Sequence, residues 1–254
     1  MTIWFASGNI HKKKELKDIL EDTLSDPIHL DTFGREEPWK WELKIPSDAG
    51  IAFGPEETGS TFLENALLKA AELHRLLGEK NLLRPGDSVI ADDSGICVDA
   101  LGGRPGVHSA YYGAAGTVAD DIVSDFISQR RKDNAEHAKG NDTDTKLSAG
   151  EQNALLLWEL GDKPLRSGRF VCCMILYYSA ERFFTAQETF EGELVKEMRG
   201  EGGFGYDPVL YIPELGRTVA ELTAEEKNRW SHRGRAARTI ADIIVGEILT
   251  AECQ

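Results

Sequence analysis

The chain has 254 residues, 41% of them hydrophobic and 28% charged, with a formal net charge of −14 at pH 7. That makeup suits a globular protein with enough chain for one large α/β domain or two small ones. The acidic balance excludes general nucleic-acid binding, because phosphates are repelled outside any local basic patch, and no stretch approaches membrane-spanning length. The cysteines Cys97, Cys172, Cys173 and Cys253 show neither CxxC spacing nor a zinc-like grouping. Buried free thiols in a reducing compartment are expected. The Met1–Ala6 start lacks a basic segment followed by a long apolar one, so no secretory signal is expected and a cytoplasmic setting is.

In chain order, residues 2–6 read as a buried strand that ends at Ser7-Gly8-Asn9 and passes into a basic helix from Lys12 to about Leu20. A second strand is expected near Ile28–Phe33, and the Gly-, Pro- and acid-rich stretch 34–60 reads as loop. Thr61-Phe62-Leu63-Glu64 opens a helix through Leu77, with Leu63, Ala66, Leu67, Ala70, Ala71 and Leu73 at helical spacing. Pro85-Gly86-Asp87 is a turn before the strand Ser88–Ala91. A helix is expected over 118–131 and a solvated insert over 133–149. Glu151–Leu160 is a further helix, and the apolar run Phe170–Tyr178 is a central strand with Arg182–Glu191 as its antiparallel neighbour. Short strands follow at Asp207–Ile212 and Thr218–Glu221. Thr223-Ala224-Glu225-Glu226 has capping-box form, and a long terminal helix starts near His232. Strands and helices alternate, but the hairpin argues against an all-parallel sheet. The expected class is α/β, in one domain over residues 1–254.

The densest chemical feature is Asp92-Asp93-Ser94-Gly95, with Asp99 close behind. Carboxylates packed together repel one another, so a cation or a shared proton is expected to hold them. Neighbours leaving a strand point to opposite sides, so one aspartate faces a given site and the other supports it. One or two carboxylates with substrate phosphates match what Mg²⁺ prefers; the plain alternative is an Asp-rich turn, which the crowding of charge makes the weaker reading.

Four other segments are weaker alone. Ser7-Gly8-Asn9-Ile10-His11-Lys12 joins a glycine, a helix start and a lysine, the parts of a phosphate cradle, although an ordinary turn with solvated lysines explains it better in isolation. Thr61-x-x-Glu64 is itself a capping box, so Glu64 needs no other role. Gly203-Phe204-Gly205-Tyr206-Asp207 sets an aromatic ring between glycines, which suits base stacking with Asp207 accepting from a base N–H, or equally a Gly-rich turn around a core Phe. Lys227-Asn228-Arg229-Trp230-Ser231-His232-Arg233 gathers cations at an expected helix start, where the macrodipole disfavours them, so an anionic or carbonyl-bearing ligand would account for them.

Together, and in this order, Ser7-Gly8-Asn9…Lys12, Thr61-Phe62-x-Glu64-Asn65-Ala66, Asp92-Asp93-Ser94-Gly95, Gly203-Phe204-Gly205-Tyr206-Asp207-Pro208 and Glu226-Lys227-Asn228…Ser231-His232-Arg233 resemble the inosine/xanthosine triphosphate pyrophosphatase family over nearly the whole chain. The resemblance implies a long mixed twisted sheet flanked by helices, in two lobes with the active-site cleft between them, and a homodimer. It implies Mg²⁺-dependent hydrolysis of ITP, dITP and XTP to the nucleoside monophosphate and pyrophosphate. On the matching positions, Ser7, Gly8, Asn9, Ile10, His11 and Lys12 hold the phosphates, Glu64 and Asp93 bind Mg²⁺, and Asp93 activates water. Ser94, Phe204, Gly205, Tyr206, Asp207, Lys227, His232 and Arg233 contact the nucleotide. Donors such as His232 and Arg233 suit a 6-carbonyl and are left unsatisfied by the 6-amino group of adenine, a mismatch that discriminates strongly.

The chain departs from the family at Ser109-Ala110-Tyr111-Tyr112, where Ser-Ala-Arg-Tyr is common, and at two probable inserts, 34–57 and 133–149. Two other readings stay open: a pyrophosphatase for dTTP, UTP or modified pyrimidine nucleotides, and a nucleotide sensor without turnover.

Overall fold

A computed structural model describes residues 1–25, 40–133 and 147–252. The strand expected near 28–33, part of the first insert and most of the second lie outside these residues. Among the described residues, seven strands form one mixed sheet in the order β2-β1-β3-β4-β5-β6-β7. They are β1 Thr2–Phe5, β2 Glu42–Lys44, β3 Ser88–Val98, β4 Ser167–Ser179, β5 Arg182–Leu194, β6 Leu210–Ile212 and β7 Arg217–Thr218. β1 pairs parallel with both β2 and β3, whereas β6 pairs antiparallel with β5 and β7. Only Ala180 and Glu181 separate β4 from β5, a connection too short for anything but an antiparallel hairpin.

The helices are α1 Ile10–Leu24, α2 Phe62–Glu79, α3 Asp120–Asp133, α4 Ala149–Leu160, α5 Ala224–Trp230 and α6 His232–Glu252. Several sequence-based bounds change. The stretch 34–60 is not wholly loop, because β2 lies in it, and β3 runs on through Asp92-Asp93-Ser94-Gly95 instead of ending at Ala91. The strands expected at Asp207–Ile212 and Thr218–Glu221 shrink to β6 and β7, with 3-10 turns taking up part of the remainder. Cys97 is half-buried, whereas Cys172 and Cys173 are buried as expected.

The chain divides into two compact units: residues 1–94, 171–189 and 227–254, and residues 95–170 and 190–226. In the first, strand alternation sorts side chains onto two faces. Ile3, Phe5, Ile90, Cys172, Met174 and Leu176 pack with Leu16 and Leu20 of α1 and Ala237, Ile240 and Ile244 of α6. Trp4, Ala6, Val89, Ala91, Cys173 and Ile175 pack with Ala66, Ala70, Leu73 and Leu77 of α2. Each fully buried side chain of this kind contributes roughly 1.5–3 kcal/mol. The second unit packs Ile96, Val98, Tyr112, Leu155, Leu156, Leu160, Tyr206, Val209 and Leu210 into its own core.

Candidate active site

The same alternation separates the two adjacent aspartates. Ile90 lies on the α1/α6 face and Ala91 on the α2 face, so Asp92 follows the first and Asp93 the second. Both are buried, at 1% and 5% exposure, which no carboxylate tolerates without partners.

Asp92 Oδ2 accepts from Lys12 Nζ at 2.8 Å, from Ser94 Oγ at 2.8 Å, and from Arg233 Nε and Nη2 at 3.4 and 3.5 Å. Its Oδ1 is buried with no hydrogen-bond partner among the described residues. Burial works to raise its pKa, but Lys12, Arg233 and Lys69 outweigh it and hold the carboxyl well below the usual range. Behind it, Glu15 of α1 joins Arg233 Nη1 at 2.8 Å and Lys227 Nζ at 3.0 Å. Glu15 is held low as well, because Arg233 and Lys227 overcome its burial.

Asp93 has different company. Its Oδ1 accepts from Lys69 Nζ at 2.8 Å and its Oδ2 from Asn65 Nδ2 at 3.4 Å, both from α2. Lys69 Nζ also reaches Glu57 Oε1 at 3.3 Å. Burial raises the Asp93 pKa; the attraction of Lys69 opposes this and Glu57 reinforces it, leaving the net shift upward. The adjacent carboxylates are thus pushed apart: Asp92 is locked as an anion, while Asp93 has raised proton affinity. Titratable neighbours separated in this way suit a structural ion beside a general base.

The N-terminal segment is built as a cap. Asn9 is the N-cap of α1, its Oδ1 accepting from the His11 and Lys12 amides, and the Asn9 amide donates to Ser7 Oγ. Two first-turn amides are therefore already engaged, Ile10 is largely exposed, and a side chain at Gly8 would meet nothing within 4 Å. The segment's one charged group directed at the aspartates is Lys12. Glu64 is a cap too: Ser60 N, Ser60 Oγ and Thr61 N all donate to its Oε2, while its own amide donates to Thr61 Oγ1. All three of those carboxylate contacts fall on one oxygen.

At the other cation cluster the expected reason for the charge changes. Lys227 and Arg229 occupy the last turn of α5 rather than a helix start, where the macrodipole favours them. His232 is 4% exposed. Burial, with Arg233 and Lys227 adding to it, pushes its pKa well below the ordinary value, so its ring is neutral. Arg233 is 3% exposed and serves as a strut to Asp92 and Glu15.

In the second unit, Gly203 and Gly205 have φ of +73° and +62°. A Cβ on Gly203 would lie 2.0 Å from Asp207 Oδ2. That oxygen accepts the Phe204 amide at 2.7 Å, so Asp207, 3% exposed, shapes the turn instead of lying open to a base. Tyr206 is buried with its hydroxyl donating to Ser109 O at 2.8 Å, while Phe204 is half-buried.

Sequence reasoning missed Glu15, Glu57, Asn65 and Lys69. Lys69 had a visible signal: it lies between Asn65 and Leu73 at four-residue spacing, on the buried stripe of α2. Among the described residues no three His, Cys, Asp or Glu side chains are grouped to cage a metal. The donor set still fits Mg²⁺, which takes one or two carboxylates and completes its shell with water and phosphate. Asp93 and Glu57 flank one ammonium, at 2.8 and 3.3 Å from Lys69 Nζ, so two carboxylates share a single cation there.

Among the described residues, no helix is long and apolar enough to cross a membrane. Residues 3–243 match the model of the Ham1 family. The dITP/XTP pyrophosphatase of Treponema denticola is 39% identical over 246 residues, covering 97% of this chain and 100% of that one. That of Geobacillus kaustophilus is 43% identical over 197 residues, 77% and 78% of the two chains. The solved Ham1 protein of Staphylococcus aureus superposes with a TM-score of 0.67 at 29% identity, covering 97% of this chain and 100% of its own. A HAM1 protein from Coxiella burnetii gives 0.68 at 27% identity, covering 97% and 99%. The mixed seven-stranded sheet with flanking helices is the fold these proteins share with it, and the chain belongs to the Ham1 family.

Proposed function

We propose that the chain hydrolyses deaminated purine nucleoside triphosphates, ITP, dITP and XTP, to the nucleoside monophosphate and pyrophosphate. The observation that carries the reading is the division of labour in β3, where buried Asp92 is paired with Lys12 and Arg233 while buried Asp93, on the opposite face, meets Lys69 and Asn65 of α2. The dITP/XTP pyrophosphatases related over nearly the full chain support the substrate class.

Asp93 accepts a proton from the attacking water. The new P–O bond forms as the anhydride oxygen leaves with pyrophosphate. Asn65 and Lys69 hold the Asp93 carboxylate in place, and Lys12 and Lys227 are the cations assigned to the triphosphate's charge. Asp93, Glu57 and Glu64 would hold Mg²⁺, and the ion would supply charge neutralisation at the phosphates. Phe204 offers its ring to the base. Neutral His232 and the Arg233 guanidinium are the donors assigned to the 6-carbonyl, and Ser94 stays assigned to the nucleotide beside them. A homodimer belongs to the same reading, tested by sedimentation at micromolar concentration. Asp93→Asn is the direct test: it should bind ITP with near-unchanged affinity and lose at least about a hundredfold in turnover. Turnover within threefold of the parent would remove Asp93 from its role.

A further inference from the structure

Asn153, on α4, is 2% exposed. Its Nδ2 donates to the Gly205 carbonyl at 2.9 Å, while its Oδ1 is buried with no hydrogen-bond partner among the described residues. A half-satisfied amide is a poor core residue, since a leucine of similar bulk would leave no acceptor stranded; the next turn of α4 uses Leu155 and Leu156 for that purpose. The one bond Asn153 makes is therefore the reason to keep it, and that bond ends in the loop that carries Phe204. Around Gly205, the Phe204 amide is tied to Asp207, the Tyr206 hydroxyl to Ser109 and the Val209 amide to the Tyr206 carbonyl. The Gly205 peptide, at φ +62° with no Cβ to restrict it, has its carbonyl held by Asn153.

We propose that Asn153 is a positioning residue for the nucleobase, fixing the Gly205 peptide and with it the presentation of the Phe204 ring. This deepens the proposed pyrophosphatase reading and rests on it. Without the tether the binding-competent loop becomes one conformer among several, and apparent affinity falls by the fraction lost while the reacting groups of β3 are untouched. The effect belongs in KM.

The test compares the full chain with Asn153→Ala, Asn153→Ser and Asn153→Asp. Hydrogen exchange without nucleotide should show faster amide exchange confined to residues 203–207. With ITP and Mg²⁺, KM should rise at least about fivefold in Asn153→Ala and Asn153→Ser, with kcat within twofold. Asn153→Asp sets an acceptor against the Gly205 carbonyl when ionised and a donor when protonated, so its KM relative to the parent should fall as the pH drops from 8 to 6, a signature that packing alone does not produce. Unchanged exchange, an unchanged KM, a kcat loss at constant KM, or failure of all three variants to fold would each overturn the proposal. If the parent protein does not turn over ITP, the pyrophosphatase reading has failed, and the exchange experiment still decides whether Asn153 holds the loop.

Discussion

Changing Asp92 and Asp93 separately to asparagine should have opposite consequences for stability and activity, although the two residues are adjacent and the substitutions isosteric. Asp92→Asn removes the charge that Lys12 and Arg233 face across 2.8 and 3.4 Å. Breaking a buried pair from one side costs roughly 3–5 kcal/mol. The lower end applies here, because Arg233 keeps Glu15 at 2.8 Å and the Lys12 side chain retains 17% exposure through which to reach water. For 254 residues the unfolding entropy is about 0.5 kcal/mol/K, so a loss of about 3 kcal/mol lowers Tm by about 6 °C. The sign with pH follows from linkage. An acid whose pKa is depressed by folding contributes stability above its unfolded value near 4 and loses it as the pH falls toward the folded value. The Tm gap between the parent and Asp92→Asn should be full at pH 7 and should close below about pH 4. Asp93→Asn relieves a burial penalty while giving up the contact with Lys69, so its Tm should stay within about 2 °C. Differential scanning calorimetry from pH 2 to 8 decides. A loss below 2 °C for Asp92→Asn, or a gap independent of pH, would refute the assignment of Asp92 as the locked ion.

Other expectations follow from the same geometry. Lys69→Met removes the cation that opposes the upward shift of Asp93, so the acid limb of the kcat/KM profile should move to higher pH; an unmoved limb would mean that Asp93 does not set it. Gly203→Ala forces a Cβ to 2.0 Å from Asp207 Oδ2 at positive φ and should raise the KM for ITP at least about tenfold. Gly205→Ala meets no atom within 4 Å and pays only the left-handed backbone penalty, about 1–2 kcal/mol; equal effects in steady-state kinetics would contradict this. In Mg²⁺ titrations of turnover, Glu57→Gln should raise the half-saturating concentration more than Glu64→Gln, whose side chain still closes the capping box with Thr61. The reverse order would make Glu64 the main carboxylate partner of Asp93.

Much of the first unit is legible in the sequence because its signals are local. The short apolar runs over residues 2–6 and Phe170–Tyr178 give strands, and Thr61 with Glu64 announces α2. Alternation says that Asp92 and Asp93 part company, but not which cations each meets: Lys12 and Arg233 are 80 and 141 residues from Asp92 along the chain. Lys69 and Glu57 escaped for the same reason, since a lysine on a helix and a glutamate in an acidic loop look solvated until folding buries the lysine and brings the glutamate to it. The continuation of β3 past Ala91 was hidden because Asp, Ser and Gly are poor strand formers, and only tertiary partners make a strand of them. β2 was hidden by being three residues long with charge at both ends, its place set by pairing with β1. Asp207 read as an open acceptor because nothing in Gly-Phe-Gly-Tyr-Asp reveals that its side chain folds back onto the Phe204 amide.

The central claim is pyrophosphate release from a deaminated purine nucleotide. Products formed by the purified protein with Mg²⁺ and, in turn, ITP, XTP, ATP, GTP, dTTP and UTP test it most directly. Equimolar pyrophosphate and monophosphate are expected from ITP and XTP, with kcat/KM at least about a hundredfold above that for ATP. Orthophosphate with a diphosphate product, equal turnover of ATP, preference for dTTP or UTP, or binding without turnover would contradict it.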